Sequence, residues 1–231
     1  IEADASCSEK EHKMKLKTIL FDMDGTLLAS LPGLLHSTNA ALNVCGYPER
    51  TCEEVRTFVG NGVGKLIERA LPGGLSNPDY EACLAAFRAD YQNAMFTGSK
   101  LYPGISELLE TLRAEGCRLA VVSNKIDSAV QALSARFLEQ RVDVAIGERE
   151  GVARKPAPDS VYAALDALQM PRESAAYVGD SEVDLQTARN AGVPCFSVDW
   201  GNRSAQELVR AGAVSISHTP EELLQALRSH G

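Results

Sequence analysis

From residue 17 onward the chain alternates short apolar runs with longer amphipathic stretches. The runs fall at residues 18–21, 119–122, 142–146, 175–178 and 194–198. Each is aliphatic or β-branched and stops near Gly, Ser or Asp, which predicts a buried strand closed by a turn. Between them apolar residues recur at helical spacing: Ile105, Leu108, Leu109 and Leu112 in one stretch, and Val161, Ala164, Leu165 and Leu168 in another. Pro158 stands where the second of these helices would start. Nearly continuous apolar strands separated by helices predict a parallel sheet covered on both faces.

Residues 31–100 break that alternation. They carry helical patterns only, at residues 34–44, 53–59, 63–71 and 80–92, with turns at Gly46-Tyr47-Pro48 and Pro72-Gly73-Gly74. A strandless insertion after the first strand predicts a helical subdomain over 31–100, set into an α/β core over 14–30 and 101–231. Its tethers, residues 29–33 and 98–104, both hold Pro and Gly, and two crossings permit a hinge. Residues 1–13 are polar and patternless and lack the apolar stretch of a signal peptide; they read as a tail or an added remnant outside the fold.

Composition narrows the classes of function. Of 231 residues, 45% are hydrophobic, enough for a core without covalent staples. Twenty-three basic residues against thirty-one acidic ones leave a net charge of −8, which argues against a nucleic-acid or membrane-surface binder. No apolar run approaches the ~20 residues of a membrane span. The six cysteines are scattered with no Cys-x-x-Cys spacing, so a reducing cytoplasm suits them better than a disulfide framework. Cys117 and Cys195 lie in apolar stretches and read as small core residues. The four histidines are dispersed, which disfavours a histidine-rich zinc site.

Candidate chemistry sits at strand ends. Asp22-Met23-Asp24-Gly25-Thr26 follows the first run directly. Residues two apart in extended chain point the same way, so Asp22 and Asp24 are expected to present two carboxylates to one crevice. Gly179-Asp180-Ser181-Glu182-Val183-Asp184 follows the run at 175–178. Taken alone, the first motif also reads as an Asp-Gly turn and the second as a helix capping box. If both strands share one sheet, Asp22, Asp24, Asp180 and Asp184 gather at its carboxyl edge, where open α/β sheets bind ligands. Four acids in one crevice repel one another, and a hard divalent cation such as Mg²⁺ resolves this. Ser123-Asn124-Lys125 adds a hydroxyl and an amide at the same edge, or is plain turn chemistry. Lys155, in Arg154-Lys155-Pro156, supplies a cation, or is a solvated loop charge.

Asp-x-Asp-Gly-Thr, a Ser at a strand end, Lys-Pro and Gly-Asp-Ser-x-x-Asp, in that order, resemble the haloacid dehalogenase-like hydrolase superfamily. The resemblance runs from about Met14 to Gly231. It implies an α/β fold, a Rossmann-like parallel-sheet core with helices on both faces plus an inserted all-helical cap of the C1 type. It also implies a magnesium-dependent phosphomonoesterase that works through an aspartyl-phosphate. Asp22 would be the nucleophile and Asp24 the general acid and base. Ser123 and Lys155 would hold the transferring phosphoryl group. Asp22, the Asp24 carbonyl and Asp180 would bind Mg²⁺, with Asp184 orienting a metal water. Thr26, Gly60, Asn61, Gly62 and Asn124 would contact substrate. The Val59-Gly60-Asn61-Gly62 loop and the Glu68-Arg69-Ala70-Leu71 helix are similar to the caps of phosphoglycolate phosphatases. A small carboxylate is then expected at the Gly60–Gly62 loop, with Lys65 or Arg69 as further cations. Ala29-Ser30 stands where relatives often carry Asp-Ser. A phosphosugar mutase or a pyrophosphatase of the same superfamily stays open, as does, from another class, a non-catalytic binding module. The expected partner is a small phosphorylated metabolite in the cytoplasm, not nucleic acid or membrane.

Overall fold

The computed structural model describes residues 15–230, so the expected tail at residues 1–13 lies outside the described residues. The chain opens with β1 (Thr18–Phe21) and a short β2 (Leu28–Ala29). Four helices follow: α1 (Leu31–Val44), α2 (Cys52–Phe58), α3 (Val63–Ala70) and α4 (Tyr80–Ala94). β3 (Lys100–Leu101) then leads into α5 (Ile105–Ala114), β4 (Arg118–Ile126), α6 (Asp127–Leu133) and β5 (Val144–Glu148). The remainder is α7 (Asp159–Leu168), β6 (Ala175–Gly179), α8 (Glu182–Ala191), β7 (Cys195–Val198), α9 (Ala205–Arg210), β8 (Ile216–Ser217) and α10 (Pro220–Ser229).

Six strands form one parallel sheet in the order β5-β4-β1-β6-β7-β8. β1 is central, with Thr18 opposite Arg118 on one side and Ala175 on the other. Alternation along the strands sends side chains to two cores. Ile19, Phe21, Leu119, Val121, Ala176 and Val178 pack under α5, α6 and α10. Leu20, Ala120, Val122, Ala175 and Tyr177 pack under α7 and α8. β1 itself is buried along its whole length, which is why it reads as one unbroken apolar run.

α1 to α4 enclose a third apolar cluster around Leu42, Val55, Ile67 and Phe87, which extends to Ala129 of α6. β2 and β3 pair antiparallel, Leu28 opposite Leu101, and so zip the two tethers together at their base. Strands of two residues carry too little periodicity to be seen in a sequence, and β2, β3 and β8 were not expected. β5 starts later than residue 142, because the Asp143 carboxylate accepts from the Leu119 N–H at 2.8 Å before the ladder begins. Cys45 and Cys83 are joined as a disulfide between the end of α1 and α4, their Cα atoms 6.2 Å apart. That corrects the expectation of scattered thiols: α1 and α4 pack side by side, a proximity that a separation of 38 residues hides. Cys117 and Cys195 are free, as read from their apolar surroundings. No helix among the described residues is long and apolar enough to cross a membrane.

Candidate active site

Strand order alone brings the acids together. Asp22 follows central β1, and its N–H still donates to the Val178 carbonyl at 2.9 Å, fixing it to the sheet rim. Asp180 follows β6, the strand next to β1, and Asp184 lies in the first turn of α8. The carboxylates of Asp22, Asp180 and Asp184 are buried and offer oxygens within 4.8 Å of one another. Ser181 and Asp184 form a reciprocal capping box, so the structural and the site readings of that motif hold at once.

Lys155 is buried and reaches into this group. Its Nζ lies 2.8 Å from Asp22 Oδ1, 2.8 Å from Asp184 Oδ1 and 2.9 Å from the Tyr177 hydroxyl. Asp180 accepts from the Asn202 N–H at 2.5 Å and from the Thr26 hydroxyl at 3.4 Å. One ammonium thus faces three carboxylates. Burial pushes the Asp22 carboxyl up to about 7, with Asp184 adding and Lys155 opposing. Burial, then Asp184 and Asp22, hold Asp180 well above the carboxylate range. Burial pulls the Lys155 ammonium down, but Asp184 and Asp22 outweigh it and leave it well above its ordinary value. The group is short of positive charge. Three buried carboxylates are a hard oxygen donor set, and these residues fit a divalent cation. Gly25, at φ 90°, lets the loops close on them, since a Cβ there would strike the Asp180 carboxylate and the Asn202 amide.

Asp24 does not join the triad, contrary to the expected cluster of four acids. Its carboxylate accepts from the Ser30 hydroxyl and pairs with Lys125 Nζ at 3.1 Å, while its carbonyl accepts from the Asn202 amide at 3.2 Å. The reason is local. The chain leaves the strand after Phe21, and the N–H groups of Leu27 and Leu28 both turn back to the Met23 carbonyl, so the two-residue alternation lapses. Asp22 and Asp24 still line one cavity, of about 390 Å³.

That cavity separates the sheet edge from the helical insertion. Asp22, Asp24, Ser123, Asn124, Lys125 and Asp180 line one side. Leu34, Val59, Val63, Leu66, Phe87 and Met95 form a largely apolar wall opposite. β4 is longer than expected, running to Ile126, with a register shift after Val122. The shift carries Ser123, Asn124 and Lys125 out of the regular alternation, and all three line the cavity. Asn124 accepts from the Lys155 N–H at 2.8 Å and donates to the Lys155 carbonyl at 2.9 Å and the Gly60 carbonyl at 3.1 Å. Its amide is therefore engaged in holding Lys155 and the insertion's loop. Arg203 pairs with Glu182 at 3.0 Å and donates to the carbonyls of Arg56 and Val59, clasping the same loop from the other side.

Other expected contacts fall elsewhere. Gly60 and Gly62 line the cavity, but Thr26 and Asn61 do not. Thr26 supports Asp180, and Asn61 accepts from Arg69 at 2.9 Å. Arg69 also holds the Phe58 carbonyl, and Lys65 pairs with Glu68 at 2.7 Å, so neither cation reaches the cavity wall. Tyr177, Asn202 and Arg203 also belong to the site, beyond the residues that the sequence motifs mark. The one available signal was Asp199-Trp200-Gly201-Asn202-Arg203, a polar stretch directly after an apolar run and thus at the same sheet edge.

Residues 19–198 match the family described as haloacid dehalogenase-like hydrolase. The chain belongs to that family. It is 31% identical over 200 residues to a phosphoglycolate phosphatase of Nitrosospira multiformis, covering 84% of this chain and 88% of the relative. It is 35% identical over 215 residues to the Cereibacter sphaeroides phosphoglycolate phosphatase, covering 90% and 98%. Among solved structures, a Lactobacillus delbrueckii subsp. bulgaricus protein provisionally assigned as a phosphoglycolate phosphatase superposes with a TM-score of 0.89 at 35% identity, over 93% and 99% of the two chains. CbbY from Rhodobacter sphaeroides, solved in complex with phosphate, gives 0.74 at 27% identity over 90% and 96%.

Proposed function

We propose that this hydrolase is a Mg²⁺-dependent phosphomonoesterase that cleaves 2-phosphoglycolate to glycolate and phosphate. The observation that carries it is a buried aspartate triad with its own lysine, next to a fourth, separately paired aspartate, Asp24, that lines a cavity with Asp22. Nucleophile and proton donor are held apart by different lysines, Asp22 by Lys155 and Asp24 by Lys125. Sequence relatives named for this activity support the substrate.

Asp22 attacks phosphorus, forming an aspartyl-phosphate as the bond to the leaving oxygen breaks. Asp24 gives its proton to that oxygen. It then takes a proton from the water that attacks the aspartyl-phosphate, releasing phosphate and restoring Asp22. Lys155 fixes the Asp22 carboxylate and offsets its charge, and Ser123 offers a hydroxyl to a phosphoryl oxygen. Asp22, the Asp24 carbonyl and Asp180 would hold Mg²⁺, with Asp184 orienting its water; the ion supplies charge neutralisation to the transferring phosphoryl group. We further propose that residues 31–100 act as a cap that excludes bulk water from the cavity.

The apolar wall favours one other reading, a monoester whose leaving alcohol carries more hydrocarbon. A phosphate-release screen over 2-phosphoglycolate, ethyl phosphate, aryl phosphates, β-glucose 1-phosphate and pyrophosphate, with Mg²⁺ or excess chelator, decides between them. Highest kcat/KM for 2-phosphoglycolate, abolished by chelator, is expected. A higher value for an uncharged aryl ester would move the assignment to the second reading.

A further inference from the structure

Lys125 is a buried cation to which the mechanism gives no task. It ends the irregular part of β4 and lines the cavity. Its Nζ lies 3.1 Å from Asp24 Oδ2, donates to the Tyr91 hydroxyl oxygen at 2.5 Å, and sits 4.6 Å from the centre of the Tyr91 ring. Tyr91 belongs to α4 of the insertion, so this one side chain joins the proton donor to the apolar wall. We propose that Lys125 is the specificity-determining residue that binds the carboxylate of the substrate's leaving group. This rests on the phosphoglycolate reading above.

Substrate size carries the argument. In 2-phosphoglycolate the carboxylate carbon is two bonds from the oxygen that Asp24 must protonate. A cation that reads this carboxylate has to stand beside Asp24, not across the cavity. The other basic side chains fail on position or occupation. Lys155 is spent on Asp22, Asp184 and Tyr177. Arg203 is spent on Glu182 and two carbonyls of the insertion. Lys65 and Arg69 lie off the cavity. Arg88 lines the cavity but is solvent-exposed, where a charge contact is weak. An ammonium has three N–H groups. Asp24 and Tyr91 occupy two of those on Lys125, which leaves one for a ligand. Lys125 is buried in a cavity that Leu34, Phe87 and Met95 also line, and an ion pair in such surroundings is stronger than at the surface.

The test compares 2-phosphoglycolate with ethyl phosphate, which carries a methyl group in place of the carboxylate. Wild type, K125M, K125R and R88Q are assayed with both. K125M should cut the ratio of kcat/KM for 2-phosphoglycolate over ethyl phosphate by about ten- to a hundredfold, the loss of one charge-assisted hydrogen bond. The change should appear mainly as a raised KM for 2-phosphoglycolate, and K125R should recover part of the ratio. K125Q serves in place of K125M should the latter not fold. Equal losses for both esters would overturn the assignment and leave Lys125 as a support for Asp24. A collapse of the ratio in R88Q, but not in K125M, would transfer the role to Arg88. A wild-type ratio near one would instead sink the phosphoglycolate reading itself, a separate result from either of these.

Discussion

The site holds two buried lysines, and their surroundings differ in kind. Lys155 is held entirely by the sheet edge: Asp22, Asp184 and Tyr177 saturate it, and Asn124 pins its backbone on both sides. Lys125 spans a boundary, with Asp24 on one side and Tyr91 of the insertion on the other. For Lys125, burial pulls the ammonium down, and Asp24 and Tyr91 overturn this and raise it. Both lysines are thus charged, but only one is closed off by fixed partners. A saturated lysine can serve the same chemistry for every substrate. A lysine shared with the insertion's apolar wall is suited to discrimination. On the proposal above, reaction and specificity rest on different lysines, Lys155 and Lys125.

The largest effect should come from the saturated side. Asp22→Asn keeps the shape but removes the attacking charge, and kcat should fall by about three orders of magnitude or more, about 4 kcal/mol in barrier. Acid-quenched wild type should carry phosphate on Asp22; label on any other residue would break the division of roles. Lys155→Met should also unsettle the fold, because it leaves Asp22 and Asp184 buried without their cation. A loss of about 3–5 kcal/mol is expected in urea unfolding. A similar loss in Lys125→Met would erase the contrast between the two lysines.

Asp24→Asn should reduce turnover by roughly two orders of magnitude or more with alkyl esters, which need a proton on departure, and less with nitrophenyl phosphate. Equal loss for both leaving groups would remove Asp24 as donor.

A smaller effect concerns pH. Burial raises the Asp22 pKa from 3.8 to about 7 in the metal-free protein. The folded state then binds the extra proton between those values, so this group's contribution to stability is full below 3.8 and is lost as pH rises through about 7. The same proton competes with metal. The Kd for Mg²⁺, read by calorimetry, should weaken by up to about tenfold per unit as pH falls below about 7, with proton release on binding. A flat Kd across that range would remove Asp22 from the ligand set.

The smallest effect is expected at Asn61. It is held by Arg69 and does not line the cavity, so Asn61→Ala should cost less than about 1 kcal/mol in kcat/KM, equally for 2-phosphoglycolate and ethyl phosphate. A selective loss for 2-phosphoglycolate would return carboxylate recognition to the Gly60–Gly62 loop.

The chain's local signals determined a good deal without coordinates. A fully buried strand must be apolar throughout, so β1, β4, β6 and β7 announced themselves, and the polar residues that break each run fell at the sheet's carboxyl edge. Helical spacing marked α1 to α4 as a strandless insertion because each needs an apolar stripe to bury. Asp22 and Asp180 were legible for the same reason: strand ends in a parallel sheet are neighbours in space once strand order is known; Asp184, in the first turn of α8, and Lys155, in the loop after β5, follow such strands. What depends on how distant segments meet was not legible. The departure of Asp24 from the triad follows from a turn after Phe21, and the pairing of Cys45 with Cys83 from the packing of α1 on α4. Asn124 lines the cavity, and only the packed structure showed that it also holds Lys155 and Gly60. Lys125 was one more polar residue at a strand end until Tyr91 closed over it. Hydrophobic periodicity is a property of one segment and survives in the sequence; the partner of a charged side chain is a property of two, and only the packed tertiary structure decides it.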